Sequence, residues 1–240
     1  MPEPRRTTQP KIIAAIPCFN TEASIADIVS KAKKYVDQVV VIDDGSRDGT
    51  AEAAKAAGAL VINHGTNKGY GEAIKSCFEV AKANAADILV ILDGDGQHNP
   101  DEIPQILAPA IEDKADVVVG SRFLANEQSM PPYRKFGISV ITFLWNFGSK
   151  VTVSDTQSGF RAYNKRIFNA PALSEKGMSV SIEILEKARK EGVIIKEVPV
   201  SCSYMPSTLN LGAIRHGLGV AFSVVRIRFK NSLFAKTERQ

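Results

Sequence analysis

The chain is short of cysteine, short of histidine and without a long apolar run, and each shortage removes a class of protein. Three cysteines in 240 residues, Cys18, Cys77 and Cys202, are too few and too scattered for a disulfide framework or a zinc site. A reduced, cytoplasmic protein is the expectation. The three histidines, His64, His98 and His216, share no ligand spacing and read as structural or solvent-facing side chains. No apolar stretch approaches the roughly 18–20 residues that cross a bilayer. Residues 1–10 are polar and proline-rich, lack the apolar core of a secretory signal, and read as a flexible tail. A net charge of +4 gives no reason to expect nucleic acid. No internal repeat or low-complexity stretch is present. With 44% hydrophobic and 23% charged residues, the composition is ordinary for a globular chain of one domain, with or without an appendage.

What the chain does have is a regular alternation of short apolar runs and helical patterns. Strands are expected at Lys11 to Ile16, Gln38 to Ile42, Ala59 to Asn63, Ile88 to Leu92 and Asp116 to Val119. Helical spacing falls between them, at Ala23 to Tyr35, Thr50 to Ala57, Tyr70 to Ala85 and about Asp101 to Glu112. That order implies an α/β fold with a mainly parallel central sheet flanked by helices. Further on, Phe136 to Phe147 and Val180 to Lys190 read as helices, and Val193 to Tyr204 alternates like an edge strand. Val153 to Ala162 reads as a polar loop.

The run Ile88-Leu89-Val90-Ile91-Leu92 stops at Asp93-Gly94-Asp95-Gly96-Gln97-His98. The apolar part does not alternate, so it reads as a strand buried on both faces. Two carboxylates one residue apart, with glycines allowing a sharp turn, suit Mg²⁺ or Mn²⁺. Three other strand ends are also polar: Pro17 and Asn20, Asp43 and Asp44, Ser121 and Arg122. In a parallel sheet these ends share one edge, where open α/β sheets bind ligands. One of the Asp43-Asp44 pair is expected to accept a nucleobase N–H, and Thr50 to cap the helix that follows. Asn67-Lys68-Gly69-Tyr70-Gly71 precedes a helix and offers backbone N–H groups to phosphate, although it is not a Walker loop. Arg122 and Arg134 are candidates for gripping phosphate oxygens.

In order, the segments Ile16-Pro17-Cys18-Phe19-Asn20, Val41 to Ser46, Leu92 to His98, Gly120-Ser121-Arg122 and Asp155 to Phe160 resemble the family 2 glycosyltransferases of GT-A fold. The closest likeness is to the dolichyl- or polyprenyl-phosphate mannose and glucose synthases. It covers roughly residues 11–204, and Ser207 to Leu218 resembles the end of archaeal-type members. The resemblance implies a nucleotide-diphosphate sugar donor. Pro17, Asn20, Glu22 and Asp44 would line the nucleoside pocket, with Lys68, Gly69 and Gly94 also on the donor side. Asp93, Asp95 and Gln97 would hold the metal, and Arg122 and Arg134 would meet an acceptor phosphate. Two features depart from the family pattern: Thr21 stands between Asn20 and Glu22, and no basic residue lies near Leu209. The Gln-x-x-Arg-Trp motif of processive members is absent, which argues against a polymerising synthase.

A lipid phosphate acceptor needs no base, because it is already an anion at pH 7, whereas a sugar hydroxyl would need one, with Asp155 available. A sugar nucleotidyltransferase and a non-catalytic nucleotide-binding module are the remaining alternatives. The expected organisation is a tail at 1–10, a single domain at 11–210 and a basic amphipathic helix with tail at 211–240. Six Lys or Arg against one acid after residue 214, interleaved with apolar side chains, suit either a membrane surface or packing on the domain. Peripheral attachment to the cytoplasmic membrane face follows from the first. A homodimer or a membrane-anchored partner subunit is compatible with both.

Overall fold

The computed structural model describes residues 9–125, 130–168, 173–204 and 219–227. Residues 1–8, most of 205–240 and therefore the tail, the Ser207 to Leu218 likeness and His216 lie outside the described residues. The first half is a run of strand–helix units: β1 (Ile12–Cys18), α1 (Glu22–Ala32), β2 (Gln38–Asp43), α2 (Thr50–Ala56), β3 (Leu60–Asn63), α3 (Tyr70–Ala83), β4 (Ile88–Ile91), α4 (Ile103–Ile111) and β5 (Val117–Ser121). The second half adds α5 (Pro132–Asn146), β6 (Arg161–Asn164), α6 (Lys165–Phe168), α7 (Ser179–Lys190) and β7 (Ile195–Pro199). Residues 219–227 are helical.

The strands form one seven-stranded sheet in the order β3-β2-β1-β4-β6-β5-β7. Only β6 runs against its neighbours, pairing antiparallel with both β4 and β5. All other strands therefore end on the same edge, as the sequence pattern predicted. The polar loop expected through Ala162 is corrected at its end, since β6 begins at Arg161. An Arg-x-Tyr-Asn segment lacks the apolar run that marks the other strands, and the sheet accepts it because its neighbours bury both of its faces.

Alternate residues of each central strand feed two cores. Ile13, Val40, Ile42, Leu89 and Ile91 face α3, α5, α6 and α7. Ala14, Ile16, Val39, Val41, Ile88 and Val90 face α1, α2 and α4. The helices supply matching stripes. In α1, Ile25, Ile28, Val29 and Ala32 recur at helical spacing and are the buried residues. Capping differs from expectation at α2, where Gly49 holds the N-cap position and Thr50 is the first helical residue. Asp48 performs the cap, accepting both the Thr50 N–H and its hydroxyl. Gly71 lies in the first turn of α3; a Cβ there would lie 2.9–3.0 Å from backbone at 175–177, so the glycine admits that close approach.

One buried carboxylate makes a stability prediction. Glu183 on α7 accepts the Ser174 and Glu175 amides, the Ser174 hydroxyl and Lys187. Burial opposes its charge, but these donors outweigh burial and hold its pKa below the usual value. A depressed folded pKa gives stability that is present above the unfolded pKa and lost as pH falls through the folded one. Glu183→Gln is expected to cost about 2 kcal/mol at pH 7 in chemical denaturation. The difference from the parent should shrink below about pH 4; a gap independent of pH would contradict it.

Candidate active site

Asp93 and Asp95 leave the C-terminal end of β4, between the ends of β1 and β5. Gly94 makes the turn possible: its amide donates to the Pro17 carbonyl at 3.2 Å, and a Cβ there would sit 2.8 Å from that of Cys18. Asp95 is exposed and accepts the Gln97 amide at 3.0 Å. Asp93 is different. Its Oδ1 is buried and has no hydrogen-bond partner among the described residues. Burial, and then the neighbouring Asp95, push its pKa up to about 6. An unpartnered buried carboxylate oxygen beside a second, solvent-facing carboxylate is a receptive position for a divalent cation. His98 Nε2 lies 3.7 Å from Asp93 Oδ2, and no three such side chains are grouped to hold a metal by themselves among the described residues. Mg²⁺ and Mn²⁺ accept this, because they complete their shells with water and substrate phosphate. The residues present fit such an ion.

The opposite wall of this turn is Gly159, where an added Cβ would overlap the Asp93 carboxylate. Gly159→Ala is therefore expected to push Asp93 aside, cut activity about a hundredfold and weaken Mn²⁺-dependent nucleotide binding in calorimetry. Unchanged binding would show that Asp93 has room to move.

Asp44, at the end of β2, is buried and fully engaged. It accepts the Lys68 amide at 2.9 Å and the Gly69 amide at 2.8 Å. His64 Nδ1 lies 2.7 Å from the same carboxylate, with Ser76 on its other ring nitrogen at 2.9 Å. The reading of the 67–71 turn as a phosphate-binding loop is corrected here. Its Lys68 and Gly69 amides are taken by Asp44, and the Lys68 side chain is exposed. His64 directly follows β3 on the same polar edge, but nothing in its local pattern marked it. Asn20 sits at φ +53, accepts the Arg47 amide through its side chain and donates its own amide to Ser46. Glu22 accepts the Gly49 amide at 3.1 Å. Both shape the loop after β2.

On the other side of Asp93, β5 ends in Arg122. Its guanidinium grips Asp155 through two bonds, Nε at 2.7 Å and Nη2 at 2.8 Å. Both residues are buried. Burial opposes the charge on Arg122, but Asp155 outweighs it and holds the arginine firmly protonated. Asp155 is held in turn, because Glu197 on β7 accepts the Ser154 and Asp155 amides. Both Asp155 oxygens, offered by the sequence as a possible base, are engaged by the Arg122 guanidinium. The free Nη1 of Arg122 reaches the Tyr204 hydroxyl at 3.3 Å, and Arg134 lies over the Tyr204 ring at 5.3 Å. Tyr204 thus joins the two predicted arginines; it closes the alternating stretch after α7, and nothing in that pattern marked it. His98 is buried against Phe160, and burial followed by Arg122 lowers its pKa to about 4, so it is neutral at pH 7. Cys18 is buried too, and burial raises its thiol to about 12, as suits a small apolar residue.

Pro17, Asp44, Gly69, Asp93, Gly94 and Asp95 line one cleft of about 440 Å³, together with Tyr70 and Met178. Asn20, Glu22 and Gln97 line a broader cleft of about 1030 Å³ that shares Asp95 with the first. Residues 13–170 match the family described as glycosyl transferase family 2. The chain belongs to that family.

Its relatives agree. A UDP-N-acetylglucosamine–dolichyl-phosphate N-acetylglucosaminyltransferase of Methanococcus voltae is 33% identical over 226 residues, covering 84% of this chain and 89% of its own. Polyprenol monophosphomannose synthase of Mycolicibacterium smegmatis is 29% identical, covering 82% of this chain and 78% of its own. Among solved structures, glucosyl-3-phosphoglycerate synthase of Mycobacterium tuberculosis, in complex with Mn²⁺, uridine diphosphate and phosphoglyceric acid, superposes with a TM-score of 0.72 at 21% identity. That alignment covers 90% of this chain and 78% of the neighbour, and it shows the shared GT-A fold. The family 2 protein is thus a glycosyltransferase, and the reading as a non-catalytic module is set aside.

Proposed function

We propose that this family 2 glycosyltransferase moves a hexose from a nucleotide-diphosphate sugar, GDP-mannose or UDP-glucose in the first instance, to a polyprenyl or dolichyl phosphate, with inversion. The observation that carries this is the pair Arg122 and Arg134 joined by Tyr204, with Arg122 near enough to act on the Asp93 carboxylate and with the buried acid Asp155 already bound to Arg122. A site with two cations, one of them held in place by its bound acid, suits an acceptor that is an anion from the start. The named activities of the Methanococcus and Mycolicibacterium relatives support the same acceptor class.

In this mechanism Pro17, Asp44 and the 67–69 turn form the nucleoside side of the donor cleft, with Asn20 and Glu22 holding the neighbouring loop. Asp93 and Asp95, with Gln97 beside them, would hold Mg²⁺ or Mn²⁺ on the diphosphate. When bound, the ion neutralises charge that builds on the leaving nucleoside diphosphate. Arg122 and Arg134 hold the acceptor phosphate with its oxygen behind the anomeric carbon, and the transition state has oxocarbenium character. Asp155 keeps the Arg122 fork in one orientation.

The test is direct. Labelled GDP-mannose, UDP-glucose and UDP-N-acetylglucosamine are each incubated with the protein, Mn²⁺ and a polyprenyl phosphate. One of them is expected to yield a chloroform-soluble labelled product. No such product from any donor would overturn the acceptor class.

A further inference from the structure

Helix α5 and its C-cap residue carry four exposed apolar side chains: Phe136, Val140, Phe143 and, at the cap, Phe147. Their spacing is i, i+4, i+7 and i+11, which places them on a single face. The three phenylalanines are 72%, 64% and 69% exposed among the described residues, far beyond the scattered surface apolars of an ordinary monomer. The opposite face of the helix, Ile138, Ile141 and Trp145, is buried in the core. So α5 is apolar on two faces, and only one of them is used by the fold.

The surroundings of the free face select its partner. From Met130 to Ser154 the sequence holds Arg134, Lys135 and Lys150 and not one carboxylate. A row of exposed phenylalanines with Lys135 beside it, Lys150 after it and no carboxylate in the segment matches an anionic lipid surface, where rings enter the acyl boundary and cations meet headgroups. A stripe from 136 to 147 spans about 16 Å, enough to lie in the interface. No helix among the described residues is long and apolar enough to cross a membrane. The helix 219–227 has the same two-sided character: Val220 and Val224 are buried in the core that holds Ile141 and Trp145, while Phe222 is 70% exposed. The first turn of α5 also carries Arg134, which stacks on Tyr204 beside Arg122.

We propose that the Phe136–Phe147 face of α5 is the surface by which this protein docks on an anionic membrane. Docking there brings the protein to the bilayer, where the phosphate of an embedded lipid acceptor lies. This rests on the acceptor assigned above.

The test uses the full-length protein and the variant Phe136→Gln/Phe143→Gln/Phe147→Gln. These exposed positions lie outside the catalytic groups, and glutamine keeps helix propensity. Sedimentation with phosphatidylglycerol/phosphatidylcholine vesicles should recover the parent protein, and the variant's partition coefficient should fall about a hundredfold. Transfer to a short, water-soluble prenyl phosphate should be unchanged in the variant, and transfer to a long-chain acceptor in vesicles should collapse. Equal sedimentation of parent and variant would overturn the docking face. A parent dimer that becomes a monomer in the variant by analytical ultracentrifugation, with vesicle binding unaltered, would assign the face to a second copy instead. Vesicle binding is read without any sugar transfer. If binding depends on the phenylalanines but no prenyl phosphate is glycosylated, the acceptor assignment fails and the docking face stands.

Discussion

Asp95→Ala abolishes transfer, lowering kcat by about a thousandfold or more, with little change in thermal stability. The side chain is exposed and its one protein partner is the Gln97 amide, so the fold loses little. The catalytic loss is large because, on the proposed function, one of the two carboxylates that would hold the metal disappears. Asp93→Ala gives the same loss of transfer with a different melting profile. It removes a buried oxygen that no described protein group satisfies, so the metal-free protein should keep or gain about 1–2 kcal/mol. A protein that is more stable and inactive is the signature of a residue kept for a ligand. Full activity in Asp95→Ala, measured as label entering the lipid phase, would remove the aspartates from the donor site.

Arg122→Met has a second kind of effect, on fold and chemistry together. It leaves Asp155 buried, charged and unpaired, which costs about 3–5 kcal/mol. On the proposed acceptor role of Arg122, transfer should fall at least about a hundredfold. The two losses separate in the double variant Arg122→Met/Asp155→Leu. Replacing both members of a buried pair by apolar groups recovers most of the stability. It should recover none of the transfer. Arg122→Lys keeps the charge but not the two-pronged grip, and should lie between. If the stable double variant transferred sugar at the parental rate, Arg122 would be only a structural partner of Asp155.

The sheet edge was legible because strands buried on both faces end abruptly at polar residues, and this needs only local pattern. Asp93, Asp95, Asp44 and Arg122 all stood out this way. His64 and Tyr204 did not: one follows a strand of ordinary length, and the other ends an alternating edge segment. Their roles come from partners 20 and 82 residues away, and no local period encodes such distances. The short strand β6 was missed for a related reason. Its place is assigned by the strands on either side rather than by its own propensity.

By itself, then, the sequence determined a mainly parallel α/β sheet, a pair of aspartates at the end of its central strand, and membership of glycosyl transferase family 2. Only the tertiary structure decided how those residues are employed. By inserting β6 between β4 and β5, the fold carries the 154–160 loop across the site, binds Asp155 to Arg122 and sets Gly159 against Asp93. It also decided which face of α5 is left uncovered. Hydrophobic periodicity reports that a helix has apolar faces. Which of them is buried depends on what the rest of the chain packs against it.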